Sequence, residues 1–119
     1  MSSPISIAPR HAQLVDVGRD TAELLALWLA EAGLQVDDEQ PPQLVFVERA
    51  YLKHGERGWL QAIARRWPGV PVVLLSPTLF ASVPARGGVA RELGVAAVLA
   101  TPLGREQLLQ TVRELLAVS

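Results

Sequence analysis

Residues 70–76 read Val70-Pro71-Val72-Val73-Leu74-Leu75-Ser76, and residues 44–48 read Leu44-Val45-Phe46-Val47-Glu48. Both are short, nearly continuous apolar runs that end on a polar residue. They are too short for a helix, rich in β-branched side chains, and bounded by Gly, Pro or charge, so each reads as a strand. A strand with one wet face alternates apolar and polar residues; these do not. Loss of alternation means cover on both faces, the mark of a parallel sheet packed between helices.

Three further runs of the same kind lie at Gln13–Val17, Leu34–Val36 and Ala96–Ala100, and a weak alternation at Ile5–Ala8 suggests one more short strand. Helical periodicity fills the gaps. Asp20 with Glu23 reads as a capping box, and Leu24, Leu25, Trp28, Leu29 and Ala32 follow on one face until Gly33 stops the helix. A second helix from about Glu56 to Trp67 has the stripe Leu60, Ile63, Ala64, Trp67 and ends at Pro68-Gly69. A third runs from about Gly104 to Val118, with Leu108, Leu109, Val112, Leu115 and Leu116 apolar, and a short one is expected at Gly88–Leu93 before Gly94. The expectation is a doubly wound α/β domain with five parallel strands. One connection departs from it: only Asp37–Gln43 joins the second strand to the third, too few residues for a crossover helix. Seven extended residues reach about 23 Å, enough to cross one strand without a helix.

The 119 residues fit one domain, and without cysteine the chain has no disulfide, thiolate zinc site or thiol nucleophile. Eleven Lys and Arg against twelve Asp and Glu give no basic field for direct nucleic-acid binding. No apolar run approaches the roughly 20 residues of a membrane span, and the first residues lack the pattern of a secretory signal, so a cytoplasmic location is the expectation. Charge is uneven: residues 1–48 hold eight acids and two bases, net −6, and residues 49–119 hold nine bases and four acids, net +5. Opposed faces of this kind suit a protein partner. His11 and His54 lack metal-ligand spacing, and neither a phosphate-binding glycine loop nor a Ser/His/Asp set is present.

In order and spacing the chain resembles the receiver domain of bacterial two-component response regulators, over about residues 12 to 118. The matching pieces are Leu14-Val15-Asp16, Ala32-Gly33-Leu34, the strand Leu44–Glu48, the strand Val70–Ser76, and Gly94 through Leu103 with Thr101-Pro102. The resemblance implies a flavodoxin- or CheY-like fold. It also implies a phospho-acceptor cluster at the strand carboxyl ends, where receivers hold Mg²⁺ with two adjacent acids and an acceptor aspartate and engage the phosphoryl group with a hydroxyl and a lysine. Position by position, Asp16 matches the first acid, but Val17 stands at the second and Glu48 at the acceptor. Ser76 matches the hydroxyl, while Thr101 replaces the lysine and keeps the following proline, with the cis bond common in the family. The switch aromatic falls near Val98.

Three of these departures remove a metal ligand, lengthen the acceptor by about 1.5 Å and delete a positive charge. The resemblance is therefore to a degenerate receiver, with no Mg²⁺ or other cofactor expected. Glu48 reads either as a mimic of a phosphorylated acceptor or as a partner of Arg49 or Lys53.

The function expected is non-catalytic: a phosphorylation-independent domain that dimerises or docks a signalling protein. As receivers usually are, it would be joined to an output module such as a cyclic-di-GMP or DNA-binding domain, forming the amino-terminal part of a longer chain. An atypical phospho-acceptor and a small-ligand sensor are the other readings. The family's dimerisation face maps to about Gly88–Leu93, Ala96–Ala100 and Gly104–Val118, which nominates Val98, Arg105, Leu109 and Arg113. Leu79 and Phe80, in the apolar loop Pro77–Gly88, are the neighbouring contact candidates.

Overall fold

A computed structural model describes residues 10–50, 58–79 and 82–117. The chain runs β1 (Arg10–Val15), α1 (Arg19–Glu31), β2 (Leu34–Val36), β3 (Leu44–Glu48), α2 (Gly58–Arg66), β4 (Val72–Ser76), α3 (Gly88–Leu93), β5 (Ala97–Ala100), α4 (Arg105–Ala117). The five strands form one parallel sheet in the order β2-β1-β3-β4-β5. The segment at Ile5–Ala8 lies outside the described residues. None of the described helices is long and apolar enough to cross a membrane.

The two strands whose sequences decide the fold lie at its centre and are covered on both faces. Side chains alternate across a strand, so Leu44, Phe46, Val73 and Leu75 meet Leu25 and Leu29 of α1 and Leu108, Val112 and Leu115 of α4. On the opposite face Val45, Val47, Val72 and Leu74 meet Ile63 of α2 and Ala90 of α3, with Trp59, Leu60 and Trp67 at the margin. Gly33 (φ 81°) and Gly94 (φ 78°) adopt the left-handed conformation that ends α1 and α3, which a β-carbon would disfavour.

The short β2–β3 connection has a simple geometric cause. Ala12 of β1 is aligned with Val36, the last residue of β2, and with Leu44, the first of β3. The chain leaves β2 at the level at which it enters β3, so it need only step over β1 and never return along a strand. Asp37 donates its amide to the Ala12 carbonyl at 3.2 Å and Gln43 donates to His11 at 2.8 Å. The Gln43 side chain accepts the His11 amide at 2.6 Å, which seats the step on β1. The side of β1 and β2 that a crossover helix would cover carries the polar residues His11, Gln13 and Gln35; Gln35 is exposed, and His11 is largely buried beside Asp37 of the step itself.

The boundaries around the β1–α1 loop differ from expectation. β1 begins at Arg10 and ends at Val15, because Asp16 takes a positive φ of 53° and turns the chain out of the sheet. Helix α1 starts at Arg19 with Gly18 as its N-cap, so Asp20 is not the cap and no side chain bonds there. The Gly18 carbonyl already accepts from Ala22 at 2.8 Å, which places Asp20 inside the first turn, where its charge complements the helix dipole.

At the other end of α1, Arg105 of α4 makes a bidentate contact with the Glu31 carboxylate through Nε and Nη2. That hydrogen bonding holds the Glu31 carboxyl below its usual range, with the Arg105 charge adding and desolvation opposing. A depressed folded-state value gives stability that is present above the ordinary glutamate range and lost as pH falls through the depressed value. Glu31→Gln should therefore flatten the acid-side loss of stability in thermal melts between those limits, and high salt should do the same to the wild type; an unchanged pH slope in the variant would contradict the pairing. Phe46→Ala, at the centre of the sheet, should cost about 3–5 kcal/mol in urea unfolding, and a loss below about 1 kcal/mol would contradict its place in the core.

Candidate functional site

The strand carboxyl ends gather Asp16, Glu48, Ser76 and Thr101 at one end of the sheet, as the sequence predicts. Their partners are what the sequence did not provide. Glu48 ends β3, and its Oε1 accepts the Gly18 amide at 2.7 Å, tying β3 to the β1–α1 loop. A β-carbon on Gly18 would lie 3.2 Å from that oxygen, so glycine gives the carboxylate room for this approach. The longer reach of glutamate suits a bond to the loop backbone across the strand ends.

The Asp16 side chain is 67% exposed, and its Oδ2 lies 3.6 Å from Nη2 of Arg49. Arg49 follows Glu48 directly. Its amide donates to the Leu75 carbonyl at 2.9 Å, and its guanidinium lies 5.4 Å from the centre of the Trp59 ring. Backbone and ring together aim the cation at Asp16. Of the two cations considered for Glu48, Arg49 thus pairs with Asp16 instead, and Lys53 lies outside the described residues. Val17 turns inward and packs on the α1/α4 side of the core.

Ser76 is fully buried, its hydroxyl 2.8 Å from the Thr78 hydroxyl and also accepting the Thr78 amide at 3.2 Å. This local turn occupies the hydroxyl. Thr101 donates its amide to the Ser76 carbonyl at 3.1 Å, and the Thr101-Pro102 bond is cis. The four acid, hydroxyl and lysine-replacement positions thus converge: Glu48 and Ser76 bond the chain through their side chains, Asp16 faces Arg49 while largely exposed, and Thr101 is held through its backbone amide. Among the described residues no three His, Cys, Asp or Glu side chains are grouped to hold a metal ion. The sequence reading missed Gly18 and Thr78, and it offered Arg49 as a partner of Glu48 where the structure pairs it with Asp16. Adjacency of Arg49 to Glu48 was the available signal, but which carboxylate it meets depends on tertiary geometry.

The interface candidates divide. Val98 is 1% exposed and Leu109 8%, so neither is a surface residue. Val98 points into the α2/α3 side of the core, and Leu109 lies on the inward face of α4. Leu79 is half-buried against the same α2/α3 cluster, and Phe80 lies outside the described residues. Arg105 is exposed but engaged with Glu31 and Glu106, while Arg113 is exposed on α4. The loop before α3 returns onto its own domain: Ala85 accepts the Val98 amide at 2.8 Å along the outer edge of β5.

No family model and no curated protein matches the sequence. Solved structures do match the fold. A response regulator from Thermotoga maritima superposes with a TM-score of 0.69 at 18% identity, over 91% of this chain and 98% of that one. A response regulator from Desulfuromonas acetoxidans gives 0.67 at 16% identity, over 92% and 98%. A CheY-like response regulator from Mesorhizobium loti gives 0.60 at 19%, over 89% and 97%. Identities this low speak to architecture, and the five-stranded parallel sheet in the order β2-β1-β3-β4-β5 agrees with them throughout: this chain has the CheY-like fold of response-regulator receiver domains.

Proposed function

We propose that this domain is a pseudo-receiver: a non-catalytic signalling module that acts through protein–protein contact and takes no phosphoryl group. The observation that carries the reading is the internal engagement of both acids, Glu48 with the Gly18 amide and Asp16 with Arg49. Phosphoryl transfer to a carboxylate needs a free nucleophilic oxygen, a divalent cation bridging acids and phosphate, and positive charge for the developing anion. Glu48 has one oxygen committed to an amide. Val17 offers the cation no ligand, and the Arg49 guanidinium stands beside Asp16, so the donor set does not fit a hard divalent ion. Thr101 brings no charge where the resemblance calls for lysine.

In this reading the fixed loop geometry is the functional state, and the domain sits in a longer signalling protein as a dimerisation or docking unit. The exposed face of α4 is the part of the proposed self-association surface that remains available. Arg105 already braces α1, so Arg113 is the cleaner probe of that face.

Incubation with acetyl phosphate and Mg²⁺ followed by intact-mass analysis should return the unmodified mass. Addition of one phosphoryl group would overturn the reading and favour an atypical acceptor. Light scattering over a concentration series should show a dimer that Arg113→Glu weakens; a dimer unaffected by that charge reversal would exclude the α4 face.

A further inference from the structure

The two outer edges of the sheet are treated differently. Along β5 the chain covers its own edge, with Ala85 accepting from Val98 and Arg86 Nη1 lying 3.8 Å from Glu114 Oε2 of α4. At β2 the sheet is notched. Pairing with β1 stops at Ala12 and Val36, while β1 continues to Val15. The Asp37 amide bonds the Ala12 carbonyl, so Ala12 faces the β2 side, and by strand alternation Leu14 turns its amide and carbonyl the same way. There it projects beyond the last paired residue of β2.

That space is a groove of about 380 Å³ lined by Gln13, Leu14, Val36, Asp37, Asp38 and Glu39. Val36 is 39% exposed, one of two large apolar side chains so exposed among the described residues. The rim is acidic. Asp37 is turned inward, its Oδ1 accepting the Glu39 amide at 2.7 Å and its Oδ2 lying 3.7 Å from His11 Nδ1. Asp38 and Glu39 remain exposed to solvent.

We propose that this notch is a docking site for an extended segment of a protein partner that carries Lys or Arg beside an apolar residue. An extended backbone supplies the donor and acceptor that Leu14 presents, as in strand addition. The apolar side chain covers Val36, and the cationic ones meet Asp38 and Glu39. Charge favours this occupant: residues 1–48 carry net −6, a total that includes Asp20 and Glu23 of α1 beside β2. A second copy paired edge to edge would bring a like-charged surface, and a nucleic acid a like-charged backbone. The site is remote from the Glu48 and Asp16 cluster in function, so it stands whether or not that cluster accepts a phosphoryl group.

The test is titration of the ¹⁵N-labelled chain with the peptide Lys-Val-Lys-Val-Lys, blocked at both ends, at low salt. Amide shifts should concentrate at Leu14 and Val36–Glu39 and fade with added salt. The double variant Asp38→Asn with Glu39→Gln should weaken binding about fivefold, the scale of two exposed ion pairs. Both side chains are exposed, and an unchanged melting temperature establishes that the variant is folded. Glu-Val-Glu-Val-Glu should not bind. The proposal is overturned if Lys-Val-Lys-Val-Lys causes no shifts, if they fall on another surface, or if the double variant binds equally. It is also overturned if the same amides move with protein concentration alone, which would assign the notch to a second copy.

Discussion

Two-sided burial of β3 and β4 is the constraint on which the rest of the structure depends. Leu44–Val47 and Val72–Leu75 offer no polar face, so helices must lie both above and below them. Parallel strands connected in this way bring their carboxyl ends to one side of the sheet, where chain order assembles residues distant in sequence. Asp16, Glu48, Ser76 and Thr101 are neighbours for that reason. The same constraint does not extend to β1 and β2, whose other side carries the polar residues His11, Gln13 and Gln35 in place of an apolar stripe and needs no fourth crossover helix.

The fold was legible because its signals are local. Apolar runs without alternation, helix stripes and the glycines at 33 and 94 each specify one element and one boundary. The missing crossover helix was also legible, as a count of seven residues, but its cause was not. It lies in the register that aligns Ala12 with both Val36 and Leu44, a tertiary fact. The Asp20 cap failed for a related reason: the Gly18 bond to Glu48 of a different strand fixes where α1 begins.

The site was legible by position and not by partner. Spacing located the acids, the hydroxyl and the replaced lysine. It could not say that the Glu48 carboxylate reaches Gly18, nor that Arg49, held by Trp59 and the Leu75 carbonyl, turns to Asp16. The surface candidates Val98 and Leu109 failed because apolar residues on an amphipathic helix or a covered strand point inward first. The exposed Val36 and the acidic turn after it form a surface that no resemblance indicated.

The account's central claim is that the chain's own amide and guanidinium satisfy the acids that would otherwise hold a divalent cation. Titration of Mg²⁺ into the wild-type chain, followed at the backbone amides of Asp16, Gly18 and Arg49, tests it most directly. The account predicts no saturable shift at these amides. Saturable shifts confined to them, reversed by a chelator, would contradict it.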